Sequence, residues 1–224
     1  MKRNRLFILL CLVLTLSSCG PTHFYAGFTP NDAMDGMMLL GPCSVQYYID
    51  QQNKEAYDDS LSLASEALIT SLVEDLALPV TRRAQLSSEQ KEEAIAFMSF
   101  IKDQNKKTRG DYPIPLMFDE LLESAGQRYG LLIYASGMTR DKKGYAKEVT
   151  KNFIIGAAAA ILTMGTMSVY GMPANSASFI SVAILDSEMD RIAFYELSNE
   201  FDSNPFDPKP VRKQLYQIFS EFFE

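Results

Sequence analysis

Histidine and cysteine are scarce in this chain, and their scarcity excludes several kinds of site. The one histidine, His23, lies close to the N-terminus. A Ser-His-Asp triad or a multi-histidine metal centre in the rest of the chain is therefore excluded. Of the three cysteines, Cys11 and Cys19 fall within the first twenty residues, and only Cys43 follows. Because Cys43 has no partner in the main body of the chain, an internal disulfide there is excluded as well.

Motifs that bind phosphates or activate nucleophiles are also missing. No Gly-rich loop follows a strand-like segment, so we predict no nucleotide, no other cofactor and no metal. Residues 99–102 match the Ser-x-x-Lys of penicillin-binding enzymes, but no Lys-Thr-Gly or Ser-Asp-Asn partner accompanies them. The paired carboxylates Glu92 and Glu93 fit charges at a helix start. We predict that the chain is not an enzyme; a hydrolase that uses carboxylates or an unrecognised site is the alternative.

The first eighteen residues have the layout of a secretory signal. Three basic residues, Lys2, Arg3 and Arg5, precede an uncharged and largely apolar run over residues 6–16. A run of this length is typical of an export signal and is too short to cross a bilayer as a helix. Removing the three basic residues from the formal charge of −7 leaves −10. Such an acidic surface disfavours nucleic acid and anionic lipid headgroups as direct partners.

The signal ends in a cysteine that can carry lipid. Residues 16–19 read Leu-Ser-Ser-Cys, which resembles the bacterial lipobox at all four positions. The resemblance implies cleavage between Ser18 and Cys19, removal of a signal peptide of residues 1–18, and acylation of Cys19 by chains such as palmitate. We therefore predict a lipoprotein held on a membrane through Cys19, with an ordinary signal and a chance cysteine as the alternative.

The residue after the cysteine bears on which membrane holds the chain. In the lipoprotein sorting rule of many double-membrane bacteria, an aspartate at that position retains the protein in the inner membrane. Here Gly20 follows Cys19, and the first acid is Asp32. By resemblance to proteins that follow this rule, we expect anchoring in the cell outer membrane, with the body of the chain facing the periplasm.

Composition divides the remaining chain into a linker and one domain. Residues 19–41 mix Gly, Pro, Asn and Asp without a period, which predicts a tether between lipid and domain. Its aromatic residues Phe24, Tyr25 and Phe28 belong to a disordered linker or, alternatively, rest on the headgroup layer. Residues 42–224 then form a single α/β domain. Within it, Cys43 is predicted to be a small buried residue, with a reactive thiol or intermolecular bridge as the alternative.

Hydrophobic periodicity predicts four helices in that domain. The first, over residues 54–76, carries apolar residues at steps of three and four, widened so that it is covered on more than one side. The second begins at a capping box formed by Ser87 and Gln90 and ends in a solvated basic cluster before Gly110. The third lies between Pro115 and Gly126. The fourth is capped by Asp207, and its inner stripe is Val211, Leu215, Ile218 and Phe222.

Apolar runs predict strands over residues 44–49, 129–135, 177–185 and 191–197, the last two forming an antiparallel hairpin. The predicted fold class is α/β (α+β), with a mixed sheet packed by four to five helices. Residues 152–185 contain no charge. For their first part, residues 153–170, a small-residue helix close against the sheet is favoured. A spanning helix and a segment that inserts on oligomerisation are the alternatives.

The order of these elements resembles a group of envelope lipoproteins. A strand and long helix precede the strand at Tyr129 to Tyr134, and a strand ending at Asp186 precedes a short turn and the aromatic strand from Arg191. In outline this is similar to the α/β fold shared by the curli secretion-channel lipoprotein and the penicillin-binding-protein activators. The resemblance implies a non-enzymatic accessory, scaffolding or self-assembling envelope component. The alternative is a subunit of an outer-membrane pore or secretion machine with residues 153–170 as its inserting element.

Overall fold

A computed structural model describes residues 24–25, 27–52, 54–141 and 175–223. The predicted signal peptide of residues 1–18, the lipidation site Cys19 and the uncharged segment 153–170 lie outside the described residues, and so does His23. The predictions made for them therefore stay predictions.

One mixed sheet organises the described chain. Its strands run in the order β2-β1-β4-β5-β6, and β3 pairs with the part of β1 that β2 leaves free. Strand β1 is parallel to β3 and β4, whereas the remaining pairs are antiparallel, including the predicted β5–β6 hairpin. The strands are β1 (Met37–Ile49), β2 (Glu55–Tyr57), β3 (Val80–Arg83), β4 (Tyr129–Arg140), β5 (Ser176–Asp186) and β6 (Arg191–Phe201).

Four α-helices of the described chain cover the sheet on both faces. They are α1 (Asp59–Asp75), α2 (Ser88–Asp103), α3 (Leu116–Ala125) and α4 (Pro208–Ile218). Because successive strand residues point to opposite faces, Leu131 packs into one apolar core with α1 and α4, and Leu132 packs into the other with α2 and α3. The predicted fold class, a mixed α/β sheet with helices, is confirmed.

The helix ends follow the predicted capping chemistry. Ser87 Oγ accepts from the Gln90 amide at 3.2 Å, and the Ser87 amide donates to Gln90 Oε1 at 2.9 Å. Asp207 accepts from the Lys209 amide at 3.0 Å, ahead of α4. Gly126 ends α3 with a φ of 62°, a left-handed conformation that suits a glycine.

Helix α1 corrects two predictions. It begins at Asp59 rather than residue 54, because Glu55–Tyr57 pairs with β1 as a short edge strand. It is also covered on one side only, since Leu63 is 61% exposed. In the first turns of the helix, the predicted apolar stripe does not face the core. The buried positions there are Ser62 and Ser65.

The outer edge of β1 explains this polar face of α1. Between the stretches paired with β3 and β2, the strand has amides without a neighbouring strand. The Ser44 amide donates to Glu66 Oε1 at 3.2 Å, and the Gln46 amide donates to Ser62 Oγ at 3.0 Å. Since a buried amide without an acceptor is costly, polar residues of α1 at this gap are stabilising where leucines would not be.

The predicted linker of residues 19–41 needs the largest correction. Strand β1 begins at Met37, seven residues before the predicted start at 44, and its first four residues are buried. Upstream of it, Tyr25, Phe28 and Ala33 are also buried. The described part of that linker therefore belongs to the domain, and the predicted boundary at residue 42 is wrong. Burial of large aromatic side chains supplies the free energy that holds this segment in place.

Two further observations concern burial. Cys43 is fully buried in the core beneath α2 and α3, as predicted, and this burial raises the pKa of its thiol to about 12. Within the part of the chain that the structure describes, no helix combines the length and hydropathy needed to cross a bilayer.

Candidate functional site

The described chain begins at the edge of strand β6. Phe24 forms an isolated antiparallel bridge with Phe194, and the Tyr25 amide donates to the Ala193 carbonyl at 2.8 Å. These backbone contacts add a short stretch of strand to the outermost strand of the sheet. The position of the chain directly after His23 is therefore fixed relative to the domain.

Aromatic rings reinforce this attachment. The Phe24 ring centroid lies 5.2 Å from that of Phe194, 6.0 Å from Phe28 and 6.0 Å from Phe222. Phe194 in turn contacts Phe222 edge-on at 5.5 Å. Because Phe222 lies in a 3-10 helix, Ser220–Phe222, that follows α4, this group joins both ends of the described chain. We refer to Phe24, Phe28, Phe194, Phe219 and Phe222 as the terminal cluster.

A groove continues from the terminal cluster between β6 and α4. Its volume is about 450 Å³. It lies against the second half of β6, beyond the bridge that Phe24 makes. Its walls are mainly polar and include two acidic side chains. The residues lining it are Phe194, Glu196, Leu197, Ser198, Asn199, Gln217, Ile218, Ser220 and Glu221.

The outer face of α4 carries cations and an aromatic pair. Arg212 pairs with Asp75 at 2.5 Å, and Lys213 pairs with Glu200 at 2.9 Å. Exposed pairs of this kind contribute little to stability. One turn further along α4, Tyr216 stacks on Phe223, with 5.4 Å between the ring centroids and 12° between the ring planes. Both rings of this pair are exposed, at 56% and 40%.

The residues considered as catalytic candidates do not form a cleft. Glu92 and Glu93 are exposed on the first turns of α2, and Ser99 and Lys102 are exposed near its end. In the described ranges, no three His, Cys, Asp or Glu side chains are placed to hold a metal ion. Gly126 and Gly130, which share a Gly-x-x-x-Gly spacing, lie in a helix cap and in strand β4, so they do not form one helix face.

Arg109 belongs to the basic cluster before Gly110 that was predicted to be solvated, but it is buried. Its Nε donates to the Ile101 carbonyl at 2.8 Å, and its Nη2 donates to the carbonyls of Lys102 and Gln104 at 2.9 and 3.0 Å. The guanidinium also lies 4.3 Å from the centroid of the Tyr195 ring. Arg109 therefore caps the C-terminus of α2 from inside the protein.

The sequence indicates only in part that Arg109 is buried. A basic residue near a helix end is common, and nothing local separates it from the exposed Lys106 and Lys107. The neighbouring Gly110 is informative, since a Cβ there would overlap the side chain of Tyr25. Burial raises the pKa of both tyrosine hydroxyls that face the guanidinium, Tyr25 and Tyr195, while Arg109 opposes that shift.

A second charged group closes the β5–β6 hairpin. Arg128 binds Asp186 with two hydrogen bonds, at 2.9 and 2.8 Å, and contacts Glu188 at 2.5 Å. The carboxylate of Asp186 is buried and raises the pKa of the Arg128 guanidinium. Bidentate geometry of this kind fixes orientation, so this group positions the turn after β5.

Comparisons with known proteins give few relatives. No protein-family model matches the chain, and no curated protein matches it in sequence. Among solved structures, the dodecamer of a PelC point variant from Paraburkholderia phytofirmans is similar with a TM-score of 0.38 and 9% sequence identity, covering 88% of this chain and 91% of that chain. These values show neither a family nor a function.

Proposed function

We propose that this chain is a bacterial envelope lipoprotein that is anchored through lipid on Cys19 and has a non-enzymatic accessory or scaffolding role. One observation carries the proposal. A signal with a complete Leu-Ser-Ser-Cys ending is followed, only five residues past the cysteine, by the first residue of the described fold, Phe24. The predicted cleavage site thus lies close in sequence to a residue that is attached to the domain.

The energetics of acylation support stable anchoring. Each buried methylene contributes about 0.8 kcal/mol, so two or three acyl chains hold a protein far better than one. The absence of an acid at Gly20 supports the outer membrane as the site of anchoring, with the domain facing the periplasm. Separation of the two membranes on a density gradient tests this assignment. Recovery of the native protein with inner-membrane markers would contradict it, and Gly20→Asp is the companion variant.

The roles of the buried polar side chains support a structural function. Arg109 caps α2, and Gln214 Nε2 donates to the carbonyls of Ser178 and Ser198 at 3.1 and 3.3 Å. Ser62 accepts from the Gln46 amide. Side chains bound to backbone groups in this way hold the fold and do not present a reactive atom to a substrate.

The anchoring itself is tested by substitution of Cys19. We expect Cys19→Ala to lack the diacylglyceryl mass and to leave the membrane fraction. Cys11→Ala is the matched control, because it lies in the same segment but leaves residues 16–19 intact. Intact-mass spectrometry of both variants, with flotation on a density gradient, gives the result. A Cys19→Ala protein that floats like the parent would contradict lipid anchoring.

The kind of assembly is tested separately. Crosslinking followed by sizing in mild detergent distinguishes co-purifying envelope proteins, which fit the scaffolding role, from a discrete ring of this chain. A ring would favour the alternative of a pore or secretion subunit that uses residues 153–170. A monomer without partners would contradict both.

A further inference from the structure

We propose that the side of the domain formed by the end of α4 and the terminal cluster lies on the anchoring membrane, with Tyr216 and Phe223 in contact with the lipid headgroup layer. The inference rests on the proposed lipid anchor at Cys19. It adds which surface of the domain meets the membrane and which side chains make the contact.

Chain length sets the first constraint. Phe24 lies five positions past Cys19, and five fully extended residue steps span roughly 17 Å whatever the course of the chain. Phe24 is fixed on the domain by its bridge to Phe194. A domain of this length is roughly 40 Å across. The lipid-bearing sulfur therefore cannot reach the far side, and only the surface around Phe24 can face the membrane.

Exposed aromatic side chains lie on that same surface. Phe24 contacts Phe222, and Phe223 follows it directly and stacks on Tyr216. Phe223 and Tyr216 thus form a stacked aromatic pair that is exposed to solvent. Side chains with an apolar body and a polar tip are favoured at the boundary between headgroups and acyl chains. The aromatic pair is thus placed where the short anchor brings the bilayer.

The proposed membrane contact does not depend on basic side chains binding anionic lipid. Arg212 and Lys213 lie on the same outer face of α4, but each is paired with an acid of the domain. The proposed contact therefore depends on the aromatic pair and the short anchor rather than on anionic lipid, and it should persist in vesicles of zwitterionic phospholipid.

The absence of tryptophan from the chain makes a clean probe possible. Phe223→Trp introduces one indole on the proposed contact surface. Phe100→Trp is the matched control, because Phe100 is 49% exposed on α2 and its ring also packs on a tyrosine, Tyr112, at 5.2 Å. Helix α2 covers the opposite face of the sheet. Tyr216→Trp serves as a second probe if one substitution disturbs the fold.

The experiment uses the full lipidated chain in phosphatidylcholine vesicles that carry brominated acyl chains. We expect brominated lipid to lower indole emission at position 223 about twofold, since interfacial side chains lie about 5–10 Å into the headgroup boundary. Emission at position 100 should stay unchanged. Quenching at 100 but not at 223, or equal quenching at both, would overturn the orientation.

Two further outcomes distinguish a failure of the proposed membrane contact from a failure of the lipid anchor. Flotation of the same samples shows whether the protein is bound to the vesicles at all; if it does not float, the anchor and the orientation both fail. If it floats, and the indole at 223 is shielded from aqueous acrylamide but unaffected by brominated lipid, a protein covers the surface. That result would overturn the membrane contact while leaving the anchor intact.

Discussion

The two sides of the sheet are assembled from different parts of the chain. The side covered by α2 and α3 is built largely from one continuous stretch, residues 84–125, packed on the strands. The side covered by α1 and α4 brings together Phe24, Phe28 and Ala33, the helix of residues 59–75 and residues 208–222, whereas Tyr25 packs into the other core. The first side depends on local order, whereas the second depends on contacts between the two ends of the described chain.

This difference bears on where the domain would lie relative to the proposed lipid anchor. Contacts between distant parts of a chain pay the entropy of closing a long loop, so they persist only where burial is large. The terminal cluster supplies that burial through ring contacts of 5.2 to 6.0 Å around Phe24. With the proposed lipid on Cys19, the domain would therefore be held close to its anchor, and the α1/α4 side would be the side nearest the membrane.

Loss of a core contact under α4 should give the largest effect. Leu215 is fully buried, and replacing a buried leucine by alanine costs about 2–5 kcal/mol. We expect Leu215→Ala to lower the free energy of unfolding by that amount in urea. Gln217→Ala, which changes an exposed residue of the same helix, should stay within about 0.5 kcal/mol. Equal stability of the two variants would show that α4 is not docked.

The buried guanidinium tests the other side of the sheet. Arg109→Met removes three hydrogen bonds and leaves carbonyls at the end of α2 without a donor, so we expect a loss of about 2–3 kcal/mol. Arg109→Lys should recover little of it, because an ammonium lacks the guanidinium fork. Lys107→Met is the control in the exposed part of the cluster. A loss as small as that of Lys107→Met would place Arg109 in solvent.

A smaller effect is expected at the N-terminal end of the fold. Phe24 is only partly buried but contacts three rings, so Phe24→Ser should cost about 1–2 kcal/mol. Phe201, which is 67% exposed, gives the control variant Phe201→Ser, expected within about 0.5 kcal/mol. Thermal melts of both measure the difference. An unchanged melting temperature for Phe24→Ser would mean that the two ends of the described chain are not joined.

The smallest effect at neutral pH concerns Cys43. Burial raises the pKa of this thiol from 9.0 to about 12, so it should not react with a disulfide reagent at pH 8 unless the protein unfolds. The neutral buried thiol stabilises the fold below pH 9, and this contribution is lost as pH rises from 9 towards 12. The stability difference between the parent and Cys43→Ala should therefore shrink above pH 9. Rapid labelling of the folded protein would contradict its burial.

Local signals explain how much of the fold the sequence predicts. The Ser87 capping box, the Gly126 cap, the Asp207 cap with Pro208 and the buried strand from Tyr129 each depend on neighbouring residues. These features predict helices α2 to α4 and the mixed sheet correctly. The predicted inner stripe is buried as well, with Val211, Leu215 and Ile218 on α4 and Phe222 in the 3-10 helix that follows it.

Long-range contacts explain what the sequence does not predict. The polar face of α1 exists because β1 has a gap between two edge strands, and nothing in residues 59–75 indicates that gap. The segment before β1 has the composition of a linker, yet three aromatics within five residues, Phe24, Tyr25 and Phe28, are unusual in a disordered tether. That aromatic content was the one available signal that the segment is folded.

The central claim is that Phe24 and Tyr25, which follow the proposed lipid site Cys19 by five and six residues, are held in the domain. Hydrogen exchange of the lipidated protein in vesicles, read by peptides covering residues 24–36, tests it most directly. We predict protection comparable to that of β6, with the Tyr25 amide among the slow ones because it donates to the Ala193 carbonyl. Exchange of this segment at the rate of an unstructured peptide would instead show a long tether, and would contradict the account.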